Sequence, residues 1–265
     1  MNDIFLSIAL ALIQGLTEFL PVSSSAHLLF PSLLFGANDL GLSFDIATHG
    51  GTLFAVLVYF RLDIKKMFLS ISPFFNNHDV QSRQLFTYLI VATFPIIIFG
   101  LIGSDYIANR SFGVTNIAWA NLIFATVLFL AYRYSSQSKT ILQLSIFTVL
   151  FIGLFQVFAL IPGASRSGTA MTAALLIGLN LKEASKFAFL LSIPTILGAL
   201  IFLLIDSFNS FEAINLSSLF IGFSISAIFA FFTIKFFLAF IDNIGMYPFV
   251  IYRLVLGLGL SLIHI

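Results

Sequence analysis

Long apolar segments follow one another along almost the whole chain. A run of about 17 or more apolar residues is long enough to cross the hydrocarbon core of a bilayer as a helix. Six segments meet this condition and are predicted crossings, at residues 44–60, 86–104, 113–132, 187–205, 216–238 and 246–264. The pattern therefore predicts an all-α, polytopic membrane protein.

Two further apolar regions are each interrupted by a short segment rich in proline, serine or glycine. In the first region, residues 3–20 and 26–36 are apolar and residues 21–25 interrupt them. In the second region, residues 141–161 and 169–180 are apolar and residues 162–168 interrupt them. The second flank of each region has roughly 11–12 residues, which is too short to cross. Each region is therefore predicted to be a re-entrant helix hairpin.

The charges between the apolar segments predict the orientation of the chain. The basic loops contain Arg61, Lys65, Lys66, Arg83, Arg133, Lys139, Lys182 and Lys186, and the acidic or neutral loops contain Asp39, Asp105, Asp206 and Glu212. The positive-inside rule places the basic loops in the cytoplasm. The two sets alternate correctly only if 3–36 and 141–180 re-enter, and the N-terminus is then outside.

With these assignments, the single integral membrane domain, 1–265, divides into two equivalent halves, at about 1–132 and about 141–265. Each half is a broken hairpin followed by three crossings, and the hairpins enter from opposite sides. This arrangement is an inverted-topology repeat, in which the interrupted segments meet near the midplane of the membrane. Aligning Pro21 with Pro162 places Ser24 opposite Ser165.

The composition supports a membrane protein and excludes several classes of function. Hydrophobic residues make up 60% of the chain and charged residues 9%, whereas about 25% of the residues in a soluble domain are charged. The net charge of +1 argues against a nucleic-acid partner. Because the chain has no cysteine, disulfides, thiolate nucleophiles and cysteine-ligated zinc are excluded.

The second interruption contains Arg166, and an arginine inside a membrane is a functional hypothesis by default. Its planar guanidinium suits the oxygens of a phosphate, and the alternative is a structural ion pair with Glu18. The neighbours that can supply short donors or a bare backbone are Ser165, Ser167, Gly168 and Thr169. Each interruption also precedes a helix start, and the unpaired N–H groups of a helix start attract anions.

The first interruption is surrounded by Gln14, Glu18, Ser24 and His27. Ser24, His27 and Glu18 resemble a nucleophile, a base and an orienting acid, with His27 as direct nucleophile the main variant. Gln14 and Glu18 are four residues apart, so they share one helix face, and Gln14 is expected to be a partner of Glu18 or of a metal-bound water. The alternatives are a passive protonated carboxyl for Glu18 and a core histidine for His27.

Three more polar residues lie near these motifs in the sequence or inside a predicted crossing. Ser23 and His49 are expected to line the same cavity, and packing is the alternative for His49. Arg253 lies in the last crossing, where it could form an ion pair or extend to a lipid headgroup. His78 and His264 receive no role.

Two long motifs carry a family resemblance. Residues 14–27 read QGLTEFLPVSSSAH and residues 162–168 read PGASRSG, and residues 44–61 and 248–253 add two shorter segments. Together they closely resemble the undecaprenyl-diphosphatase family of bacterial lipid-carrier phosphatases, which is linked to bacitracin resistance. The resemblance covers essentially the whole chain.

The resemblance implies hydrolysis of undecaprenyl diphosphate to undecaprenyl phosphate and inorganic phosphate, which recycles the lipid carrier of cell-wall synthesis. It also implies a divalent cation (Mg²⁺ or Ca²⁺), a homodimer, and a site that faces the periplasm from the bacterial plasma membrane. Glu18, Ser24, His27 and Arg166 match the family's catalytic positions, with Glu18 also a metal ligand. Gln14 stands where many members have a second glutamate, so weaker metal binding is expected here.

A transporter is the alternative from another class. Inverted repeats with broken helices are also typical of secondary transporters, and the same cavity could carry a lipid phosphate or another anion across the membrane. A candidate nucleophile, base and acid favour hydrolysis, because translocation alone needs none of them.

Overall fold

The computed structural model describes residues 3–37, 39–71, 79–104, 113–207 and 215–263. In these ranges the regular elements are helices. They are α1 (Asp3–Thr17), α2 (Ser24–Leu28), α3 (Phe30–Phe35), α4 (Leu42–Tyr59), α5 (Arg61–Ile71), α6 (Val80–Ile102), α7 (Val114–Tyr134), α8 (Ile146–Gln156), α9 (Arg166–Leu176), α10 (Leu181–Ser207), α11 (Leu216–Ile244) and α12 (Tyr247–Ile263), with 3-10 turns at Ile141–Gln143 and Val157–Leu160. His78, Asp105, Glu212 and His264 lie outside the described residues.

Five of these helices, α4, α6, α7, α10 and α11, are long and apolar enough to cross a membrane. The sixth predicted crossing corresponds to α12, which has 17 residues and therefore lies at the lower limit for a spanning helix. For the described part of the chain, the prediction of an all-α, multi-spanning membrane protein is confirmed.

Helices extend into segments that the charge pattern assigned to loops. Much of the first basic loop forms α5, and Arg83 lies in α6, which begins at Val80 instead of residue 86. Lys182, Lys186 and Asp206 lie in α10, which runs from Leu181 to Ser207 instead of 187–205. The early starts have a local cause, because Asp79 and Asn180 accept N–H groups of the first turns of α6 and α10.

The two interruptions differ by a few residues from their predicted bounds. Helix α1 ends at Thr17, so Glu18 lies in the break and not in the helix. Helix α9 begins at Arg166, because the Ser165 hydroxyl accepts the N–H of Gly168 and caps it. Arg166 and Gly168 therefore belong to the first turn of a helix rather than to the interruption.

Ser23 and Ser165 have the same unusual backbone conformation, each immediately before a helix. Their φ and ψ angles are 70° and 94° for Ser23 and 72° and 114° for Ser165. The positive φ is uncommon for a residue with a side chain and marks a sharp turn. This similarity pairs Ser23 with Ser165, whereas the alignment based on the prolines pairs Ser24 with Ser165.

Two close helix contacts hold the first segment of each hairpin against a spanning helix. A Cβ atom on Gly15 of α1 would lie 2.7 Å from the carbonyl oxygen of Ser226 in α11, and one on Gly153 of α8 would lie 2.5 Å from that of Ala92 in α6. Glycine at these positions lets the helix backbones touch, as is usual where helices pack inside a membrane. The breaks that follow α1 and α8 are therefore held against the helical bundle.

Candidate active site

The two breaks contact each other, as predicted. Ser25, at the start of α2, accepts the N–H of Gly163 at 3.1 Å. In the opposite direction, Ser167 donates its hydroxyl to the carbonyl oxygen of Leu20 at 2.8 Å. Residues more than 130 positions apart in the chain are thereby brought to one place.

Glu18 lies at the centre of this contact and is largely buried, at 9% exposure. Its Oε1 atom accepts a hydrogen bond from Arg166 at 2.9 Å. Its Oε2 atom accepts from the amide of Gln14 at 2.8 Å and from the hydroxyl of Ser24 at 3.2 Å. The expected pairing of Gln14 with Glu18 is therefore present, and one carboxylate joins a hydroxyl to a guanidinium.

Arg166 divides its guanidinium between two surroundings. The Nη2 atom forms the ion pair with Glu18, which was the alternative considered for this arginine, and the guanidinium lies 5.8 Å from the centre of the Phe19 ring. In the described part of the chain, the buried Nη1 atom has no hydrogen-bond acceptor. A guanidinium that has one N–H group hydrogen-bonded and another without an acceptor is suited to donate to the oxygens of an anion.

His27 does not adopt the position predicted for a base beside Ser24. Its Nδ1 atom lies 2.7 Å from the carbonyl oxygen of Ser23, and its Nε2 atom lies 2.7 Å from the hydroxyl of Tyr252. The His27 and Tyr252 rings are also stacked. Both ring nitrogens therefore have partners other than Ser24, and among the described residues the structure shows no hydrogen bond between His27 and Ser24. The residue that contacts the Ser24 hydroxyl is Glu18.

A cavity of about 310 Å³ opens beside Glu18. Its polar lining consists of Glu18, Ser23, Ser24, Ser25, His49, Ser165 and Arg166, together with Thr195. Its apolar lining consists of Ile96 on α6, residues 159–163 before α9, and Ile196, Ala199, Leu200 and Leu203 on α10. We call the hydrogen-bonded group of Glu18, Ser24 and Arg166 the polar end of the cavity. This group is suited to a charged headgroup, and the apolar lining is suited to a hydrocarbon chain.

His49 lines this cavity, as the sequence suggested. Its Nδ1 atom bonds the carbonyl oxygen of Asp45 at 2.8 Å, one helical turn earlier in α4. Because a carbonyl oxygen only accepts, this contact places a proton on Nδ1. The imidazole also lies close enough to Glu18 to interact with its charge.

Five residues expected at the site do not line the cavity, namely Gln14, His27, Ser167, Gly168 and Thr169. Gln14 is fully buried behind Glu18. Ser167 bonds Leu20, and Thr169 donates to the carbonyl oxygen of Arg166 at 2.9 Å. Their hydroxyls stabilise the backbone of the breaks. The prediction that Ser167, Gly168 and Thr169 touch a substrate is therefore not supported by their positions.

The site offers few ligands for a divalent cation. Within the described ranges, no group of three or more His, Asp or Glu side chains could hold a metal ion. Among the described residues, Glu18 is the one carboxylate that lines the cavity, and the neighbouring Oε1 atom of Gln14 is buried without a described partner. This donor set fits a cation that is bound through one carboxylate and otherwise through phosphate oxygens, as is usual for Mg²⁺.

Sequence reasoning did not identify Asn121 and left Arg253 undecided. Arg253 was expected to form an ion pair or to extend to a headgroup. Among the described residues it forms no ion pair, and it is fully buried, where it donates to Asn121 and to the carbonyls of both breaks. No role for Tyr252, the partner of His27, was indicated by the sequence. A polar side chain inside a membrane crossing was the available signal for Asn121.

Comparisons with known proteins identify the family of the chain. The family model described as bacitracin resistance protein BacA matches residues 7–259. An undecaprenyl-diphosphatase of Saccharophagus degradans is 44% identical over 261 residues, which is 97% of each chain. One of Alcanivorax borkumensis is 41% identical over 262 residues, covering 97% of this chain and 98% of the relative. The chain therefore belongs to the BacA family of bacitracin resistance proteins.

Proposed function

We propose that this protein hydrolyses undecaprenyl diphosphate to undecaprenyl phosphate and inorganic phosphate, and so contributes to bacitracin resistance. The observation that carries the proposal is the convergence of Ser24 and Arg166 on Glu18 at the polar end of an otherwise apolar cavity. The curated relatives that carry the name undecaprenyl-diphosphatase support the same substrate.

The polar and apolar parts of the cavity bind different parts of the substrate. The diphosphate lies at the polar end, where the Arg166 guanidinium pairs with its oxygens and stabilises the negative charge of the transferring group. The hydrocarbon chain follows the apolar wall formed by α6 and α10 towards the lipid. As Arg166 turns to phosphate, Oε1 of Glu18 is released from the ion pair.

Ser24 is the proposed nucleophile and Glu18 the proposed base. The Ser24 oxygen attacks the terminal phosphorus, its proton passes to Oε2 of Glu18, and the bond to the bridging oxygen breaks to release undecaprenyl phosphate. Glu18 passes that proton to the departing phosphate oxygen and so becomes a base again. It then takes a proton from the attacking water and returns it to the Ser24 oxygen, as the phosphoserine bond breaks and inorganic phosphate leaves. His27 holds the carbonyl oxygen of Ser23 and thereby orients the residue before Ser24.

In this scheme, Glu18 and the phosphates of the substrate would jointly bind a divalent cation, Mg²⁺ or Ca²⁺. Gln14 would lie nearby as an uncharged side chain. When bound, the cation supplies neutralisation of the phosphate charge.

The cellular location proposed here rests on the orientation predicted from the charged loops and on the family resemblance. We propose a bacterial plasma membrane protein whose cavity faces the periplasm and whose chain forms a homodimer. The cavity residues of α10 lie in its second half, away from Lys182 and Lys186, which the positive-inside rule assigns to the cytoplasm. The homodimer rests on the resemblance alone.

We also propose that the two halves are inverted repeats. The similar positive-φ conformations of Ser23 and Ser165 support this, because each serine precedes the second helix of its hairpin. The packing of α1 on α11 and of α8 on α6 supports it too, since these two pairs are equivalent under the repeat.

A detergent assay separates hydrolysis from transport, which is the competing function. We expect the purified protein to release inorganic phosphate from undecaprenyl diphosphate in detergent, where no second compartment exists. Ser24→Ala is the inactive control, and Thr126→Ala, an exposed hydroxyl on α7, is the active one. Absence of phosphate release from folded protein, together with movement of lipid phosphate across proteoliposomes, would favour the transporter.

A further inference from the structure

Arg253 on α12 is an arginine buried completely inside the bundle, with 0% exposure. Its Nε atom donates to the side-chain oxygen of Asn121 at 2.8 Å. Its Nη2 atom donates to the carbonyl oxygens of Gly163 and Ala164 at 2.9 and 3.0 Å, and its Nη1 atom donates to that of Pro21 at 3.5 Å. These hydrogen bonds all go to neutral oxygens.

The three carbonyls belong to the two breaks, where the helical hydrogen-bonding pattern is interrupted. Pro21 lies in the first break, and Gly163 and Ala164 lie in the second. Backbone carbonyls at membrane depth need a donor, because no lipid can supply one. A planar guanidinium offers five N–H donors in a rigid arrangement, so one side chain can satisfy several carbonyls at once.

The surroundings of Arg253 are shaped to hold it in this position. A Cβ atom on Gly168 would lie 2.9 Å from Nη1 of Arg253, so glycine at the first turn of α9 leaves room for the guanidinium. Asn121 on α7 contacts Arg253 twice, because its amide also donates to the Arg253 carbonyl oxygen at 2.8 Å. The arginine is thus oriented from its backbone as well as from its side chain.

We propose that Arg253 is a positioning residue that keeps Ser24 and Arg166 in register across the two breaks. It does not line the cavity and therefore does not touch the substrate. Ala164 directly precedes the strained Ser165, and Pro21 lies two residues before Ser23. Holding these carbonyls therefore sets the direction in which α2 and α9 start. The kinetic part of this inference rests on the proposed phosphatase function.

Arg253→Lys tests the geometry of the guanidinium while it retains the positive charge. We expect kcat to fall by about 100-fold with KM within about threefold, because a misplacement of about 1 Å costs a rate of this order. Asn121→Ala keeps Arg253 but removes its support, so a smaller fall in the same direction is expected. Arg133→Lys, at the exposed end of α7, is the matched control and should leave both constants unchanged.

Cross-linking measures the register of the breaks without any substrate. Because the chain has no cysteine, Leu20→Cys and Ser167→Cys together introduce its only two thiols. A 2.8 Å hydrogen bond joins these two positions in the parent. We expect a short bismaleimide to link this pair efficiently in the parent and in Arg133→Lys, and at least threefold less efficiently in Arg253→Lys.

The two readouts separate this inference from the proposed function. Unchanged cross-linking in Arg253→Lys, or wild-type kcat in that variant, would overturn the positioning role. If the parent released no phosphate, the proposed function would fail, and cross-linking alone would decide the role of Arg253. If Arg253→Lys did not fold, Asn121→Ala would carry the test, and unchanged cross-linking in it would overturn the role.

Discussion

Glu18 and Arg166 form an ion pair of 2.9 Å although they lie 148 positions apart in the chain. Their side chains are only 8% and 12% exposed, so the pair is held away from bulk water. It connects the first break to the start of α9. The same two groups provide the charge at the polar end of the cavity. The contact between the breaks and the charge of the candidate site therefore depend on the same ion pair.

Breaking this ion pair on one side is expected to destabilise the protein. Glu18→Gln leaves Arg166 buried without its counter-charge, which costs about 3 kcal/mol in the free energy of unfolding. Adding Arg166→Met removes the orphaned charge and should recover at least half of that loss, while activity stays absent. Denaturant titration of the single and double variants measures the coupling, and strictly additive losses would show that the pair does not stabilise the fold.

Ser24→Ala is expected to lower kcat by about 1000-fold or more, because the variant has no nucleophile. Ser25→Ala is the neighbouring control, since Ser25 bonds Gly163 and not Glu18, and its activity should fall by no more than about tenfold. Initial rates of phosphate release give both values. Comparable losses in the two variants would assign Ser24 a structural role.

Gln14→Glu is expected to strengthen the binding of a divalent cation. The new carboxylate would stand beside Glu18, 2.8 Å away in the present hydrogen bond, and a second charged ligand should lower the Mg²⁺ concentration for half-maximal activity by about tenfold. Without cation, the two like charges should reduce thermal stability. Gln14→Met is the uncharged control. An unchanged Mg²⁺ requirement in Gln14→Glu would argue against a metal at Glu18.

Asp79, which directly precedes α6, gives a prediction for the pH dependence of stability at the start of that helix. The Ser82 hydroxyl and then the Ser82 N–H donate to its carboxylate, and these hydrogen bonds lower the pKa of Asp79 below its ordinary 3.8. A lowered folded-state pKa adds stability above the unfolded-state pKa, and this stability is lost as the pH falls through the folded-state value.

Asp79→Ala should therefore loosen the first turn of α6 at neutral pH, and the difference from wild type should narrow below about pH 4. Hydrogen exchange of the amides of residues 80–83, compared between the two proteins at each pH, measures this. A difference that stayed constant from pH 7 to pH 3 would contradict the role of the charged carboxylate.

The hydrophobic pattern placed most elements correctly, but it located helix ends less well. Apolar runs identify the part of a helix that lies in hydrocarbon, and they do not report where helical hydrogen bonding continues into water. Val80 and Leu181 therefore begin their helices several residues before the predicted positions. The start of α9 at Arg166 likewise follows from the cap of Ser165 rather than from hydrophobicity.

The residues of the candidate site could be named from the sequence, but only some of their contacts could. The pairing of Gln14 with Glu18 was expected, whereas the hydrogen bond between His27 and Tyr252 was not. Glu18, Ser24 and Arg166 stood out because polar groups are costly inside a membrane. Spacing along the chain suggested His27 as the partner of Ser24, yet the turn at Ser23 directs the imidazole to Tyr252. The fully buried Arg253 could be read from the sequence only as a cation in a crossing.

The sequence alone determined that this chain enters a membrane, that two breaks interrupt its apolar segments, and which polar residues accompany them. Those conclusions depend on the free energy of transferring each side chain from water to the bilayer, which is a property of the residue type. The tertiary structure decided that Glu18 meets Ser24 and that Arg253 bonds both breaks. Such contacts depend on the positive-φ turns at Ser23 and Ser165 and on packing between helices that are distant in the chain.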